Sequence, residues 1–260
     1  FELLYKKIPV VLTGSMKPPD DDPTDAAENI LHAVKFASIG CSGTFVVFHK
    51  RIISGGRAKK IHPDEPDAFR RINFPQLGMF VDDEPYFSDH GIKALNDYAK
   101  RFEHKEMELR DGYSDKVHLL ELYRGIRPSI IDYFFSEGYL GLIIKAFGTG
   151  GIPNQPQYKS LIPKIKRWSD ERLIGLVSEA FTGQVTTNYQ VTNMTIAAGA
   201  ISLFDMLPRT ALSKANWAFG QTENIDDAKR LILYPFEFEI NVPEEFRTSD
   251  EEIERILRQK

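Results

Sequence analysis

The sequence predicts an α/β protein with two domains. Apolar stretches of strand length alternate with amphipathic stretches of helix length twice, over residues 8–48 and again over residues 117–177. Strand, helix and strand within about 40 residues form a βαβ unit, which implies parallel strands covered by helices. At 260 residues, the chain has the length of one large domain or of two domains of about 100–150 residues each.

The first βαβ unit begins close to the N-terminus. The apolar run at residues 9–13 predicts a buried strand, and the glycine-containing turn at residues 14–16 ends it. Thr24 or Asp25 is a suitable N-cap for the helix that follows, and residues 44–48 predict the second strand. One face of this helix is apolar and carries Ile30, Leu31, Val34 and Ala37.

The segments on either side of this unit have weaker signals. Residues 1–7 are typical of the last turns of a helix, so we expect the chain to begin within an element. Residues 51–60 predict a short strand broken by two glycines. Residues 81–116 are rich in charge and lack a strong strand pattern, which favours an interdomain connection with a local helix at residues 92–102.

The second alternation occupies the C-terminal half of the chain. Its apolar runs predict three strands, and its periodic stretches predict five helices. The predicted strands are residues 117–122, 140–144 and 173–177, and the predicted helices are residues 129–137, 158–168, 206–221, 225–233 and 250–259.

The composition narrows the class of function. The chain has 33 lysine and arginine residues and 37 aspartate and glutamate residues, which gives a net charge of −4. A dedicated nucleic-acid-binding protein usually has an excess of basic residues, so the composition argues against that class. Cys41 is the single cysteine, which excludes an internal disulfide and favours a reducing, cytoplasmic location. No apolar run approaches the roughly 20 residues of a membrane-spanning helix, so we expect no membrane association.

Two patterns could indicate a cofactor site or a metal site, but their residues do not have the spacing that such sites require. Residues 148–151 read Gly-Thr-Gly-Gly after a predicted strand, but they match neither the dinucleotide-binding pattern nor the phosphate-loop pattern, and Pro153 interrupts a helix there. The six histidines include no pair four residues apart. We therefore expect no nucleotide cofactor and no metal.

Several motifs occur in an order that matches a known family. Residues 10–18 contain a strand and a Thr-Gly-Ser-Met-x-Pro turn, residues 24–29 a Thr-Asp-Ala-x-x-Asn helix start, and residues 51–69 a Ser-Gly-Gly-Arg-x-Lys-Lys stretch. Residues 148–153 read Gly-x-Gly-Gly-x-Pro, and residues 183–189 read Gly-x-Val-x-x-x-Tyr. Together they make the chain resemble the asparaginase/glutaminase family, especially its cytoplasmic type I branch, from about residue 8 to residue 233.

The resemblance implies an α/β fold of two domains. The family has a larger N-terminal, flavodoxin-like domain with a parallel sheet and a smaller C-terminal α/β domain. We expect residues 1–80 to be the remainder of the N-terminal domain, which is incomplete here, and residues 81–116 to be the connection. Residues 117–260 are then the C-terminal domain.

The resemblance also implies a reaction and a set of site residues. Members hydrolyse the side-chain amide of asparagine, and often of glutamine, through a threonine nucleophile and an acyl-enzyme, without a cofactor. A hydroxyl is a weak nucleophile at neutral pH, so a nearby base and a positive charge must help to remove its proton. Lys60 occupies the position of the family's catalytic lysine. Ser15 and Met16 lie in the loop that lines the substrate pocket, at the carboxyl end of a strand, where open α/β sheets bind ligands.

The sequence departs from the family at the nucleophile. Neither Thr-Gly-Gly-Thr-Ile nor His-Gly-Thr-Asp-Thr, the family's two threonine motifs, occurs in the 260 residues, and residues 148–151 lack a threonine after the glycines. In the family both motifs precede the strand matched by residues 9–13, so we expect both upstream of Phe1. A chain of these residues alone is then predicted to be inactive and poorly stable, because the apolar edge of a parallel sheet is left exposed.

Three functions remain open. The first is a cytoplasmic L-asparaginase that acts on free asparagine, with glutamine as an alternative substrate. The second is the glutaminase-type subunit of an archaeal tRNA-dependent amidotransferase, which requires a partner and tRNA. The third is a catalytically inactive family member that binds amino acids. The resemblance further implies a homodimer or homotetramer, and for an asparaginase no nucleic acid and no membrane as partner.

Overall fold

The computed structural model describes residues 2–259, except for the side chain of Tyr158. Within that range the chain divides into two compact units. The N-terminal unit comprises residues 3–109 together with residues 236–239, and the C-terminal unit comprises residues 110–235 together with Glu2 and residues 240–259. Each unit contains both helices and strands, so the α/β class predicted from the sequence is confirmed.

The described part of the N-terminal unit has nine short strands, two α-helices and a single 3-10 turn at Gly55–Arg57. The strands are β1 (Leu3–Leu4), β2 (Pro9–Leu12), β3 (Gly43–Phe48), β4 (Arg51–Ser54), β5 (Ala58–Lys60), β6 (Phe69–Arg71), β7 (Gly78–Val81), β8 (Glu84–Phe87) and β9 (Glu108–Leu109). The helices are α1 (Ala26–Ser38) and α2 (Asp89–Arg101).

The main sheet of this unit has the order β2-β3-β4-β7-β8. Strands β2 and β3 are parallel and are connected by α1, which confirms the βαβ unit. The remaining strands are antiparallel, because the chain reverses immediately after β3 in a tight turn. His49 and Lys50 form that turn with φ angles of 43° and 68°, the left-handed geometry of the preferred two-residue hairpins. Strand β2 consequently lies at one edge of the sheet.

Helix α1 does not bury the apolar face that its sequence presents. Ile30, Leu31 and Val34 are exposed by 56%, 42% and 62%. The same unit also exposes about half of Ile8 and Leu12, at the edge strand β2. The buried positions of the helix are instead Ala26, Asn29, His32, Ala33 and Phe36.

One expectation for this unit is wrong. The N-terminus is not a helix end, because Leu3 and Leu4 form β1 and pair with β9, while Phe1 lies outside the described residues. Residues 81–116, predicted as a connection with a local helix at residues 92–102, contain β8, α2 and β9, and the boundary between the two compact units falls within them, after Leu109. The hairpin between β7 and β8 turns at Asp82 and Asp83, whose φ angles are 48° and 61°, so it lacks the glycine that usually reveals such a turn.

Four residues from late in the chain complete the N-terminal unit. The ring of Phe238 packs at 5.4 Å from Phe74 and 5.5 Å from Tyr98. The fully buried Arg57 donates a hydrogen bond from its Nε to the carbonyl oxygen of Phe238. The carboxylate of Glu239 accepts hydrogen bonds from backbone N–H groups within the same segment, at 2.8 and 3.0 Å. Residues 236–239 are therefore an integral part of this unit's core.

The C-terminal unit is built on a parallel sheet in the order β10-β11-β12-β13, as the second alternation predicts. Leu142, Ile144, Ile174 and Leu176 are almost fully buried in its centre. The strands are β10 (Val117–Glu121), β11 (Gly141–Ala146), β12 (Leu173–Ser178) and β13 (Ile201–Ser202). The helices are α3 (Ser129–Ser136), α4 (Ile162–Trp168), α5 (Gln190–Ala197), α6 (Pro208–Gln221), α7 (Ile225–Leu233) and α8 (Asp250–Leu257), with 3-10 turns at Pro156–Tyr158 and Glu244–Phe246.

Two helices of this unit differ from the expectation. Helix α4 begins at Ile162 and not at residue 158, because Lys159 adopts a left-handed φ of 59° after a 3-10 turn. Helix α5 has no counterpart in the sequence prediction, because its buried positions are Thr192 and Thr195 and it lacks an apolar face. No helix among residues 2–259 combines the length and the apolar character needed to cross a membrane.

Candidate functional site

Ser15 and Met16 lie in a loop that follows the carboxyl end of β2. Both residues are half-buried, and the loop has no regular secondary structure. Its backbone is held by the start of α1. The carboxylate of Asp25 accepts hydrogen bonds from the backbone N–H of Met16, at 3.0 Å to each oxygen, and from the N–H of Lys17 at 3.0 Å. We call residues 14–17 the substrate loop, after the role that the sequence predicts for Ser15 and Met16.

The contacts of the Asp25 carboxyl favour its ionised form. Burial by itself would raise its pKa, but the N–H groups of Met16 and Lys17 and the side-chain amide of Asn29 outweigh burial and hold the pKa below its usual range. A carboxylate that accepts several N–H bonds is stabilised in this way because each donor favours the charged form. Asp25 is therefore a fixed negative charge next to the substrate loop.

Lys60 ends β5, which pairs with β6 in a two-stranded antiparallel hairpin. Its Cα partner in this hairpin is Phe69. Lys60 is exposed, and its ammonium group has no hydrogen bond or ion pair with the described residues. The ammonium group of Lys60 is therefore available to bind a ligand at this end of the N-terminal unit.

An ion cluster anchors the same hairpin to the sheet. Arg51 in β4 contacts both oxygens of Asp67, at 2.8 and 2.9 Å, and Arg70 in β6 contacts one of them at 2.6 Å. The hydrogen bonds from Arg51, together with the charges of both arginines, outweigh burial and hold the pKa of Asp67 well below its usual range. This bidentate geometry is the strong form of the arginine–carboxylate interaction.

Phe48 brings the substrate loop and the Lys60 hairpin to the same end of the sheet. It is the last residue of β3, and its ring lies 5.0 Å from the ring of Phe69. A Cβ added to Gly14 would lie 3.9 Å from the same ring. The substrate loop, through Gly14, and the Lys60 hairpin, through Phe69, therefore both lie against Phe48 at the carboxyl end of β3, the side at which open α/β sheets bind ligands.

The glycine-rich loop after β11 is locked by its own hydrogen bonds. The N–H groups of Gly150 and Gly151 both donate to the carbonyl oxygen of Phe147, at 3.0 and 2.8 Å, so neither is available to bind an anion. Gly150 has a φ of 114°, and a Cβ there would lie 2.9 Å from the side chain of Val185.

Asp205 has a structural role in the C-terminal unit. Asp205, which follows β13, accepts hydrogen bonds from both the backbone N–H and the side-chain amide of Asn241, at 2.8 and 2.5 Å. This interaction fixes the chain where it re-enters the unit after residue 239.

One group of side chains in the described part of the chain has the chemistry of metal ligands. One ligand atom from each of Glu28, His32 and Asp83 lies within 4.8 Å of the other two. These side chains already have partners. The Nε2 of buried His32 is 2.8 Å from Asp83, and Lys50 is 3.3 Å from Glu28. We therefore describe the group as a hydrogen-bonded cluster between α1 and the β7–β8 turn, in which Lys50 pairs with Glu28.

Reasoning from sequence misses the residues that hold the site in place. The sequence presents Asp25 as a helix cap, whereas its side chain holds the substrate loop. Phe48 has the pattern of an ordinary strand residue. Arg51 and Asp67 are 16 positions apart and carry no local signal of their interaction. The spacing of four residues between Asp25 and Asn29 is the available clue, since it places both on one face of a helix.

Comparison with known proteins identifies the class to which this fold and site belong. The family described as "Asparaginase, N-terminal" matches residues 2–92, and the family described as "Glutaminase/Asparaginase C-terminal domain" matches residues 116–232. The chain belongs to the asparaginase/glutaminase family and carries its two-domain amidohydrolase fold.

The similar proteins come from two groups of the family, the amidotransferase subunits and the L-asparaginases. The chain is 32% identical over 250 residues to a glutamyl-tRNA(Gln) amidotransferase subunit of Pyrococcus abyssi, covering 92% of this chain and 54% of the relative. The protein of the same name from Pyrococcus furiosus is 33% identical, with coverages of 89% and 52%. The chain thus spans about half the length of these relatives. The solved L-asparaginase from Thermococcus kodakarensis superposes with a TM-score of 0.83 at 27% identity, covering 93% of this chain and 70% of that one.

Proposed function

We propose that the protein is an L-asparaginase that hydrolyses the side-chain amide of free asparagine to aspartate and ammonia. The supporting observation is the convergence of the substrate loop and the Lys60 hairpin at Phe48, in a chain of this family. Loops at the carboxyl end of parallel strands are where α/β proteins bind small molecules.

In this proposal the reaction proceeds through an acyl-enzyme. A threonine hydroxyl attacks the amide carbon, the C–N bond breaks, and ammonia leaves with the hydroxyl proton. Water then cleaves the ester and releases aspartate. Lys60 belongs to the catalytic group and supplies a positive charge that favours loss of the proton, while Ser15 and Met16 contact the substrate. No metal or cofactor takes part in the proposed reaction.

We propose that the nucleophilic threonine lies outside the 260 residues, since neither threonine motif of the family occurs within them. The exposed apolar side chains of α1 and the open edge of β2 support this proposal. Ile30 and Val34 are more than half exposed, and so are Ile8 and Leu12 at the edge strand. A further strand and helix would cover such a surface, because parallel sheets are normally buried on both faces.

A second candidate is the glutaminase-type subunit of a tRNA-dependent amidotransferase. The names of the curated relatives, at 30–33% identity, favour it. Such a subunit would deliver ammonia from glutamine to a partner protein that holds tRNA. Free asparagine would then be a poor substrate for the protein alone.

The setting proposed for either candidate follows from the family and the composition. A cytoplasmic location suits a chain with the single cysteine Cys41. A homodimer or homotetramer is proposed for the asparaginase. Aspartate is the product of the proposed asparaginase reaction. We propose that it would also be a ligand of an inactive, amino-acid-binding member of the family.

Ammonia release by the full-length protein alone tests the proposal. We expect turnover of free asparagine, and Lys60→Met is expected to lower kcat/KM by about 10²–10⁴-fold, the range for loss of a proton-transfer group. Lys59→Met is the control, since neighbouring strand residues point to opposite faces.

Two results would contradict the asparaginase assignment, and a third would contradict the role of Lys60. Turnover of glutamine only when a partner and tRNA are added would favour the amidotransferase subunit. Aspartate binding in calorimetry without ammonia release would indicate an inactive member. Full activity of Lys60→Met would remove Lys60 from the catalytic group.

A further inference from the structure

The side chain of Asp25 accepts hydrogen bonds from the substrate loop and therefore does not cap helix α1. Aspartate at the first position of a helix usually accepts hydrogen bonds from the N–H groups of the first turn. The side chain of Asp25 makes no such bond. Its oxygens accept from Met16 and Lys17 instead, and the hydroxyl of Thr24 accepts from the N–H of Ala26 at 3.2 Å. A local stabilising interaction is therefore given up in favour of the loop, as is typical of functional sites.

Asn29, one helical turn further along α1, extends the same arrangement. Its Nδ2 donates to the carbonyl oxygen of Gly14 at 2.9 Å and to Asp25 at 3.0 Å. Its Oδ1 accepts from the backbone N–H of His49 at 2.9 Å. Asn29 is almost fully buried, with 1% of its surface exposed. It therefore ties the substrate loop to the turn that follows β3.

These contacts determine which groups of the loop remain available to a ligand. The N–H groups of Met16 and Lys17 and the carbonyl oxygen of Gly14 are already used. The hydroxyl of Ser15 makes no hydrogen bond with the described residues. An asparagine side chain that reaches the loop would therefore meet Ser15, held from both sides by bonds to α1.

We propose that Asp25 and Asn29 are positioning residues that fix the substrate loop for amide hydrolysis. This inference rests on the proposed function of the loop. Neither side chain is assigned a contact with the substrate. Their effect is transmitted through the backbone of Gly14, Met16 and Lys17, and through it to Ser15. Misplacement of a substrate-orienting group by about 1 Å is enough to lower a rate by about 10²-fold.

Hydrogen exchange of the loop tests the inference without any need for activity. Asp25→Asn keeps the shape of the side chain but removes one acceptor and the negative charge, so exchange of the Met16 and Lys17 amides is expected to accelerate by about tenfold or more. Asp20→Asn is the matched control, because Asp20 is exposed and its loss changes the net charge equally. Unchanged exchange in Asp25→Asn would overturn the proposal.

Kinetics of the full-length protein at 25 °C separate positioning from stability. Asp25→Asn is expected to lower kcat/KM for asparagine by about 10²-fold, mainly through kcat, while the folded fraction stays close to that of the parent. Asn29→Ala removes both the donor to Gly14 and the acceptor for His49, so its kinetics are compared at equal concentration of folded protein, and a fall in kcat/KM of the same kind is expected. Faster exchange with unchanged kcat and KM would show that the loop is stabilised but not positioned, which would also overturn the proposal.

A parent protein that releases no ammonia would defeat the proposed function but would leave this inference testable. Calorimetry with aspartate then replaces kinetics. Faster exchange in Asp25→Asn together with weaker aspartate binding would support positioning of the loop for a ligand. Exchange or binding at the parent's level would contradict it.

Discussion

The ammonium group of Lys6 lies 2.6 Å from the carboxylate of Glu237, although the two residues are 231 positions apart. Both side chains are largely buried, with 8% and 12% of their surfaces exposed. Glu237 also accepts hydrogen bonds from the backbone N–H and the hydroxyl of Thr44, each at 3.0 Å. A buried, fully partnered charge therefore holds residues 236–239 in the N-terminal unit.

Glu237→Gln is expected to destabilise the protein by about 3–5 kcal/mol, because it leaves the buried charge of Lys6 without its partner. Urea unfolding followed by circular dichroism measures the change. Glu244→Gln is the control for loss of an exposed glutamate and should stay within about 0.5 kcal/mol of the parent. Equal effects of the two substitutions would show that the ion pair contributes nothing to stability.

Asp67→Asn is expected to destabilise the protein by about 1–3 kcal/mol at pH 7, through the lost hydrogen bonds from Arg51 and Arg70. The pKa of Asp67 is lower in the folded state than the unfolded value of about 3.9, so its contribution is complete above that pH and is lost as the pH falls below it. The difference between parent and variant should therefore shrink from about pH 4 downward.

Unfolding free energies measured between pH 7 and pH 2 test this pH dependence. Asp64→Asn, an exposed position in the same hairpin connection, should show no comparable difference at any pH. A difference between Asp67→Asn and the parent that stays constant down to pH 2 would contradict the assigned role of Asp67.

Gly220→Ala is expected to destabilise the C-terminal unit by about 1–3 kcal/mol, although alanine is the better helix former by about 1 kcal/mol. A Cβ at this position in α6 would lie 2.2 Å from the carbonyl oxygen of Gly112. Ser213→Ala, at an exposed position of the same helix, should be neutral or slightly stabilising. Thermal unfolding compares the two, and stabilisation by Gly220→Ala would show that the two backbones can separate at no cost.

The thiol of Cys41 is expected to react slowly with a disulfide reagent at pH 7.5. Burial raises the pKa of the Cys41 thiol, and the thiolate is the reactive form. The reaction should be faster for the chain unfolded in urea than for the folded protein, and the rate for the folded protein should rise as the pH is increased. Equal rates in the folded and unfolded chains would show that the thiol is fully accessible.

The parts of the fold that the sequence predicts best are those in which local and global preferences agree. The strands β11 and β12 are apolar along most of their length, as buried parallel strands require, and the apolar pattern of α7 places Leu231 and Ile232 in the core. Helix α5 cannot be found from periodicity, because threonines occupy its buried positions. The β7–β8 hairpin escapes prediction because aspartates adopt the turn geometry that glycine or asparagine usually supplies.

The residues of the candidate site also fall into two groups, those that the sequence predicts and those that only the folded chain reveals. Lys60, Ser15 and Met16 are selected through the resemblance of short motifs, and their assigned roles stay predictions. The side chains that place them depend on contacts between distant segments. Asp25 shows the difficulty most clearly, since aspartate at a helix start predicts a cap and only the folded chain shows that the loop takes its hydrogen bonds. Arg51 with Asp67 is an interaction of the same kind.

Because residues 236–239 belong to the N-terminal unit, that unit cannot complete its fold on the ribosome until these residues have been synthesised. Residues 3–109 leave the exit tunnel long before Glu237 and Phe238 are synthesised. Until then Lys6 has no carboxylate partner, and the guanidinium of Arg57 lacks the carbonyl oxygen that it binds in the finished protein. The unit whose synthesis begins first is consequently incomplete until residues 236–239 have been made, and a nascent chain released before Glu237 lacks both the carboxylate that pairs with Lys6 and the carbonyl oxygen that accepts from Arg57.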